Sequence, residues 1–593
     1  MTRRRGIALA IAIVVLAFGW ATFRVLQAKG HLTQAKGHLA AARQALVDHD
    51  VSRARVEIGL AGSETQQSRS ETDDPVVTVV AHIPLLGRQF HVVRGISSAA
   101  DDIARTILPG GVDLSRTLDP KTLRAPDGTI DVHALEIAEP AAAALSKKMD
   151  AVAHDVHALP GGIGPIKKAR QDFTTEVDQL TRTLNGASDA VEAAPAFLGA
   201  DQPRRWFVMI QQFAESRGTG GIIGGYAVLR ADKGKLTVEK QGSNADLKDV
   251  HVPAKSVSQQ FRDRYDLSGA FDIWVNINLS PDLPMVSRLI NEKWQAQGGQ
   301  KLDGVIALDP RSLALLLKDG GPIQVDDGGK ATSLGPDKIE RYLTNDQYIH
   351  TSGELGNQDQ RKDALAGVAK QVLDRVTGGS SDSTALVKGM VAAVQSGHLH
   401  MATVEPIKQL DDVLSKDNLD GALPKGNAPV AYAVLNNASG SKIDQYIDRK
   451  VTYSGGGCDG KRRKTKIVVE LTNNAPAIGT LPPYVTLNSA GDHTIHTTTN
   501  DALLEVYGTR DAVLTSATLD GQAVSSVQDR TNVRLEIAKE DDLPVWQVRV
   551  SLLPGKAQRL VLELSEPTAK GAARVPDQPL SAALIPRVLL PFC

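Results

Sequence analysis

The chain has 593 residues, a formal net charge of -1, 42% hydrophobic residues and 23% charged residues. That length allows three or four domains, and that balance supplies several packed cores. Nothing in the charge argues for a nucleic-acid partner, and an aromatic content of 4% argues against base-stacking platforms and against carbohydrate faces paved with Trp and Tyr.

Residues 1–5 carry Arg3, Arg4 and Arg5, and residues 6–23 then run uncharged to Arg24. Eighteen uncharged residues are just long enough to cross a bilayer as a helix. Arginines on the N-terminal side hold that end in the cytoplasm. A cleaved signal peptide is the alternative, but its apolar region is usually shorter and ends in a small-x-small site. Here the run ends with Trp20 and Phe23, which suit an interface anchor. The expectation is a single-pass cell-membrane protein. The lipid bilayer is its partner through 6–23, and the bulk of the chain is extracytoplasmic.

Gln27 to Leu32 recurs at Gln34 to Leu39, a shift of seven that sets Leu32, Leu39 and Leu46 on one helical stripe. Asp48-His49-Asp50 breaks it, and Val51 to Leu60 predicts a second short helix, giving a helical hairpin. His31 and His38 share the repeat and read as solvated stalk residues. Residues 64–74 are polar and acidic and read as an exposed loop. From Pro75 to about Ala194 the three- and four-residue apolar spacing is helical, punctuated at Pro109-Gly110-Gly111 and Pro160-Gly161-Gly162. Residues 27–198 are therefore expected to form a helical membrane-proximal region.

The pattern changes after Pro203. Trp206 to Ile210 and Asp303 to Leu308 read as buried strands, and Tyr226 to Asp232 with Leu236 to Glu239 as a hairpin. A helix is expected near Met285. Asp309-Pro310 is placed to open another over Ser312 to Leu317, and Gln360 to Val376 is amphipathic. This alternation predicts an α/β core domain over 200–426. After 427, six short strands follow between Lys466 and Leu564, punctuated by Asn473-Asn474, Asp520-Gly521 and Pro554-Gly555, and they predict a β-sandwich over 427–593. The whole reads as a multidomain α+β protein with a transmembrane helix and a helical stalk.

There are two cysteines, Cys458 and Cys593. Outside the cytoplasm such a pair is read as a disulfide, here closing a loop of about 135 residues.

Three motifs stand out. Glu215-Ser216-Arg217-Gly218-Thr219-Gly220-Gly221 lies between two strands, where bare N–H groups of Gly220 and Gly221 are able to cradle an anion. It lacks the Lys-Ser/Thr of a P-loop, and Ile223 stands where the dinucleotide fingerprint needs a third glycine. A tight bend between packed strands is the equal alternative. Asn278-Leu279-Ser280-Pro281-Asp282 precedes a helix, with Asp282 as N-cap or ligand. Asp359 and Arg361 sit at a helix start, where Arg361 is either a phosphate clamp or a surface charge. No Gly-x-Ser-x-Gly elbow and no His-Glu-x-x-His motif supports a hydrolase or a zinc protease.

The segments Trp206 to Tyr226, Asn278 to Pro284 (NLSPDLP), Asp303 to Pro310 (DGVIALDP) and Gly320 to Val325 (GGPIQV) together resemble the bacterial domain of unknown function 4012 family. That resemblance implies a membrane-anchored envelope protein and supplies no activity. The order of strand, Asp309-Pro310, helix, Gly320 to Val325, then Asp359 and Arg361 is distantly similar to the LytR-CpsA-Psr phosphotransferases, which transfer polyprenyl-pyrophosphate-linked glycopolymers. Carried over, Arg217 and Arg361 bind pyrophosphate as catalytic groups. Glu215, Asp282 or Asp359 then hold Mg²⁺ or act as base. The arginine- and aspartate-rich strand-end motif of those enzymes has no clear match here. A non-catalytic scaffold that docks envelope proteins therefore stays open beside the transferase.

Overall fold

The computed structural model describes the backbone of every residue except 1, 48–49, 84–86, 327–330, 348–357, 379–382, 417, 459, 488–496 and 525–533. Side chains at 2–14, 46–47, 120, 326, 358–366 and 383 also lie outside the described set. The chain divides into two compact units, one of residues 1–123 with 131–195, the other of 124–130 with 196–593.

The first unit is helical. α1 (Thr2–Val47) and α2 (Val51–Thr72) form the expected hairpin, with Asp50 capping α2 by accepting from the Arg53 N–H. The seam differs from the expected leucine stripe. Ala28, Ala35 and Ala42 are the buried seven-residue series, while Leu32 and Leu39 are half-buried flanks and the side chain of Leu46 lies outside the described residues. Buried Ala54, Ala61 and Ser68 repeat the same interval on α2. Small residues on both helices let the backbones approach, and the leucines then pack beside the seam. His31 and His38 are not free stalk residues. Their Nδ1 atoms lie 2.7 Å and 2.8 Å from Glu64 and Glu57, which are also seven residues apart.

The expected loop over 64–74 is helical to Thr72. Of its polar residues Thr65, Ser68 and Thr72 are buried, and each has a hydrogen-bond partner, among them Ser68 Oγ at 2.9 Å from Ser97 Oγ. α3 (Pro75–Ala81) and α4 (Arg88–Asp102) follow. After a π-helical turn, α5 (Leu108–Thr117) contains the Pro109-Gly110-Gly111 punctuation without breaking. Pro109 falls in the first turn of α5, directly after the π-helical turn, where a proline is tolerated, and Leu145 packs where a side chain on Gly110 would stand. The short α6 (Pro120–Leu123) precedes α7 (Val132–Ala158) and α8 (Gly164–Phe197). The second punctuation, at 160–162, does separate α7 from α8. Among the described residues no helix is long and apolar enough to cross a membrane, and the side chains of 6–14 in the uncharged run are outside that set.

The second unit carries three larger sheets. Strands β1 (Arg204–Arg217), β2 (Gly220–Asp232), β3 (Lys235–Ser243), β4 (Gly304–Leu308) and, after a small hairpin of β5 (Ile323–Asp326) and β6 (Ala331–Leu334), β7 (Leu399–Thr403) build a sheet ordered β3-β2-β1-β4-β7. Only β1 and β4 run parallel. The sheet is thus mixed, and the expected hairpin over Tyr226–Asp232 and Leu236–Glu239 stands in it as β2 and β3. Helices α9 (Gln259–Tyr265) and α10 (Leu283–Ala296) cover one face. There the aromatics Phe207, Tyr226, Trp274 and Trp294 share one core, with Phe207 stacked 5.5 Å from Tyr226. α11 (Pro310–Leu317) begins at the expected place, its cap Asp309 exchanging hydrogen bonds with Ser312.

The C-terminal strands form a four-stranded sheet, β14-β15-β11-β8, and a six-stranded sheet, β13-β12-β16-β10-β9-β17. Their ranges are β8 (Ala431–Asn437), β9 (Ile447–Gly455), β10 (Arg462–Asn473), β11 (Asn500–Gly508), β12 (Val513–Leu519), β13 (Gln522–Ala523), β14 (Leu535–Glu540), β15 (Leu543–Leu552), β16 (Ala557–Pro567) and β17 (Ile585–Leu589). Both sheets contribute to one core that includes Tyr453, Ile467, Leu504, Trp546 and Leu562. Cys458 and Cys593 are disulfide-bonded, tying the chain end beyond β17 to the β9–β10 connection. The intact protein is expected to run two hydrogen masses light before reduction, a difference that mass spectrometry reads directly; full mass without reductant contradicts the bond.

Candidate functional site

The two described motifs come together where the central sheet meets the C-terminal sheets. β1 is fourteen residues long, far beyond the apolar run that announced it. Its second half, Gln211 to Arg217, is buried although five of its seven residues are polar or charged. Phe213 belongs to the core of the C-terminal sheets, and Ala214 packs with Ile443, Leu481 and Val485. The strand therefore continues out of one core into another.

The glycine-rich run is mostly strand. Arg217 pairs with Gly220 and Ser216 with Gly221, so the turn is only Gly218-Thr219. Gly220 has φ +134°, a backbone state that favours glycine. A Cβ on Gly218 would fall 2.2 Å from the Leu279 carbonyl oxygen, and one on Gly221 2.3 Å from the Gln212 backbone. These glycines serve close backbone approach. The carbonyl of Gly221 accepts from the Asn278 amide at 2.8 Å and from the Gln211 amide at 3.0 Å, which joins the second motif to the first. Gly218→Ala is expected to destabilise the second unit by about 2 kcal/mol or more, since the clash is with backbone. A urea midpoint equal to that of the parent chain would contradict this packing role.

Glu215 and Arg217 form a buried ion pair at 2.9 Å, each side chain 6% exposed. Arg217 also donates from Nε to the Val275 carbonyl at 3.0 Å and from Nη1 to the Ser216 carbonyl at 2.9 Å. Every guanidinium nitrogen is thus engaged inside the protein. The second oxygen of Glu215 meets the Lys442 ammonium, which comes from the connection after β8. Burial raises the Glu215 carboxyl, but Lys442 and Arg217 outweigh it and hold the group below its usual range. Between these residues, Ser216 donates its N–H to Asp444 at 2.7 Å, and Asp444 also accepts from Asn437 at 3.0 Å. The strap leading to β17 closes the other side. Gln578 is fully buried and donates to the Arg217 carbonyl at 2.7 Å while exchanging hydrogen bonds with Leu435 at 2.8 Å.

Asp282 stands at the N-cap position of α10 but makes no side-chain cap. It is 5% exposed, and its carboxyl is pushed up to about 8, first by burial and then by Glu540 and Asp541. Nearby, Arg264 bridges Glu505 at 2.9 Å and Glu540 at 3.3 Å. Tyr265, Tyr507 and Ser280 all donate hydroxyls to Glu540. Here too a loop of the central region is bound to the C-terminal sheets. The helix start at Asp359 and Arg361 is present within Gln358–Thr377, but those side chains lie outside the described residues.

Residues 201–348 match the family model described as a protein of unknown function, DUF4012. No curated protein and no solved structure matches the chain. The DUF4012 segment holds both described motifs, whereas Lys442, Asp444, Glu505, Glu540 and Gln578, which close them, lie outside it. Sequence reasoning missed those partners because each is a single polar residue more than 200 positions from the group it meets.

Of the three candidate carboxylates, Glu215 and Asp282 do not suit a Mg²⁺ site, and the side chain of Asp359 lies outside the described residues. Both Glu215 oxygens are held by cations, and Asp282 is protonated at neutral pH. Among the described residues no group of three or more His, Cys, Asp and Glu side chains is arranged to hold a metal ion.

Proposed function

We propose that the protein is a membrane-anchored, extracytoplasmic scaffold of the cell envelope, without catalysis at the DUF4012 motif. The observation that carries this reading is the closure of Arg217. A pyrophosphate clamp needs free guanidinium donors facing a cleft, whereas this arginine is 6% exposed and each of its three nitrogens already donates inside the protein, to Val275, Ser216 and Glu215, using three of its five N–H groups. The motif serves instead to join the central sheet rigidly to the C-terminal sheets, which is what a docking platform requires. The disulfide supports an oxidising compartment. The arginines at 3–5 and the uncharged run 6–23 support the anchor and its orientation. Its partners on this reading are the bilayer and envelope proteins.

Binding or transfer of a polyprenyl-pyrophosphate-linked glycopolymer is the second reading. The observation in its favour is Asp282, a carboxyl kept protonated near neutral pH, the state of a general acid. Its enclosure by the C-terminal sheets speaks for the scaffold. Native mass spectrometry of the full chain in nanodiscs, with Mg²⁺ and a short polyprenyl pyrophosphate, separates the two. The scaffold predicts no specific adduct; a stoichiometric, Mg²⁺-dependent adduct that is lost in Arg361→Ala returns the protein to the transferases.

A further inference from the structure

One end of the helical unit is apolar on its outside as well as its inside. Ala17, Phe18 and Ala21 of α1 pack with Val76, Val77 and Val80 of α3, with Ile83, and with Phe90 of α4. Phe18 and Phe90 meet edge to face at 5.7 Å. Around this cluster, apolar side chains from three separate segments face outward: Val15, Leu16 and Phe23 on α1, Val79 on α3, and Ile163 in the α7–α8 connection. Ile163 reaches this end because its N–H donates to Gln89, next to Phe90. Val79 is 68% and Ile163 74% exposed.

A belt of ion pairs borders the cluster. Arg24 binds Glu71 at 2.6 Å and Asp74 at 3.4 Å, the Trp20 indole donates to Asp74 at 3.2 Å, and Arg94 binds Asp73 at 2.9 Å. Apolar side chains thus lie beside the belt, although the residues come from chain positions up to 148 apart; exposed His82 after α3 and Arg88 at the start of α4, which lies against Gly161, stand among them and have to reach the headgroup level with their polar ends. Water would tolerate a lone exposed valine, but an apolar surface built by three segments at one level marks a contact. The level is that of residues 15–23, the outer end of the uncharged run.

We infer that α3 and the α7–α8 connection sit in the outer interfacial layer of the bilayer, beside the anchor. The occupant of this surface is lipid, at the boundary between headgroups and acyl chains, where an apolar helix face inserts by about 5–10 Å. Trp20 and Arg24 then stand at the headgroup level, as interfacial aromatics and cations do. The helical unit is seated on the membrane rather than swinging from a single helix. This rests on the anchor proposed above.

The test uses the full chain, whose two cysteines are joined in the disulfide and do not react with thiol probes. Leu16→Cys, Val79→Cys, Ile163→Cys and Val56→Cys are labelled singly with an environment-sensitive fluorophore and reconstituted in vesicles with or without acyl-brominated lipid. Positions 79 and 163 are expected to be blue-shifted and quenched roughly two-fold or more, as at 16, with 56 on α2 unaffected. Quenching at 16 without quenching at 79 and 163 overturns the inference and leaves the anchor standing. No quenching at 16 overturns the anchor itself. Quenching at 56 as well overturns the boundary at the charge belt.

Discussion

Arg217→Ala is expected to destabilise the second unit by about 3–5 kcal/mol, the cost of removing one partner of a buried ion pair. Alanine leaves Glu215 with Lys442 alone, and leaves the carbonyls of Val275 and Ser216 without their buried donor. Each unmet buried acceptor adds about 1–3 kcal/mol to such a loss when it is not re-solvated. The damage extends to the C-terminal sheets, because the carbonyl of Arg217 is itself held by Gln578. Urea unfolding followed by tryptophan fluorescence reads it, since Trp206 and Trp274 report the central sheet and Trp546 the C-terminal core. An arginine that merely waits in a cleft for a pyrophosphate behaves otherwise: its replacement changes stability by less than about 0.5 kcal/mol. An unshifted midpoint would therefore remove the structural role assigned to the motif.

Asp282→Asn is expected to change how stability depends on pH. In the folded chain the Asp282 carboxyl is pushed up to about 8, and in the unfolded chain it returns to about 4. Between those values the folded state keeps a proton that the unfolded state releases. Stability therefore falls as pH rises through that window and levels off above it. At ~1.4 kcal/mol per unit, the full loss approaches ~5 kcal/mol. Glu505 and Asp444 are also raised by burial and act in the same sense, whereas Glu215 is lowered and acts only at acid pH. Asparagine is neutral throughout, so the variant is expected to have a shallower slope and to be the more stable form at pH 9. Chemical denaturation at pH 5, 7 and 9 checks this. A variant weaker than the parent chain at pH 9 would show that the ionised carboxylate is wanted at that position.

The sequence revealed elements whose side chains repeat with their own period. The strands over Lys466–Leu471, Val513–Leu519 and Trp546–Leu552 alternate because one face of each lies on a shared core, and they stand within β10, β12 and β15. The cysteine pairing was also readable, since only one pairing is available to two cysteines. What stayed hidden depends on distant partners. The second half of β1 looks like a polar loop, yet Gln211, Glu215, Ser216 and Arg217 are buried in a strand because Lys442, Asp444 and Gln578 reach them from the far end of the chain. β9 was missed for a similar reason: its Arg449 is fully buried among the carbonyls of Gln578 and Ala582 and the carboxylate of Asp577. In the helical unit the leucine repeat was visible, but the alanines at the second position of each repeat, Ala28 and Ala35, form the seam with Ala42, because proximity rather than bulk decides which stripe faces a second helix.

The central claim is that Glu215-Ser216-Arg217 fastens one part of the fold to another and does not grip a ligand. The most direct measurement is a double-mutant cycle between Glu215→Gln on β1 and Lys442→Met after β8, read by urea unfolding. A coupling energy of about 1–3 kcal/mol is predicted, the range for groups that share a buried network. A coupling near zero, with both single variants as stable as the parent chain, would contradict the account and return these charges to a role in binding.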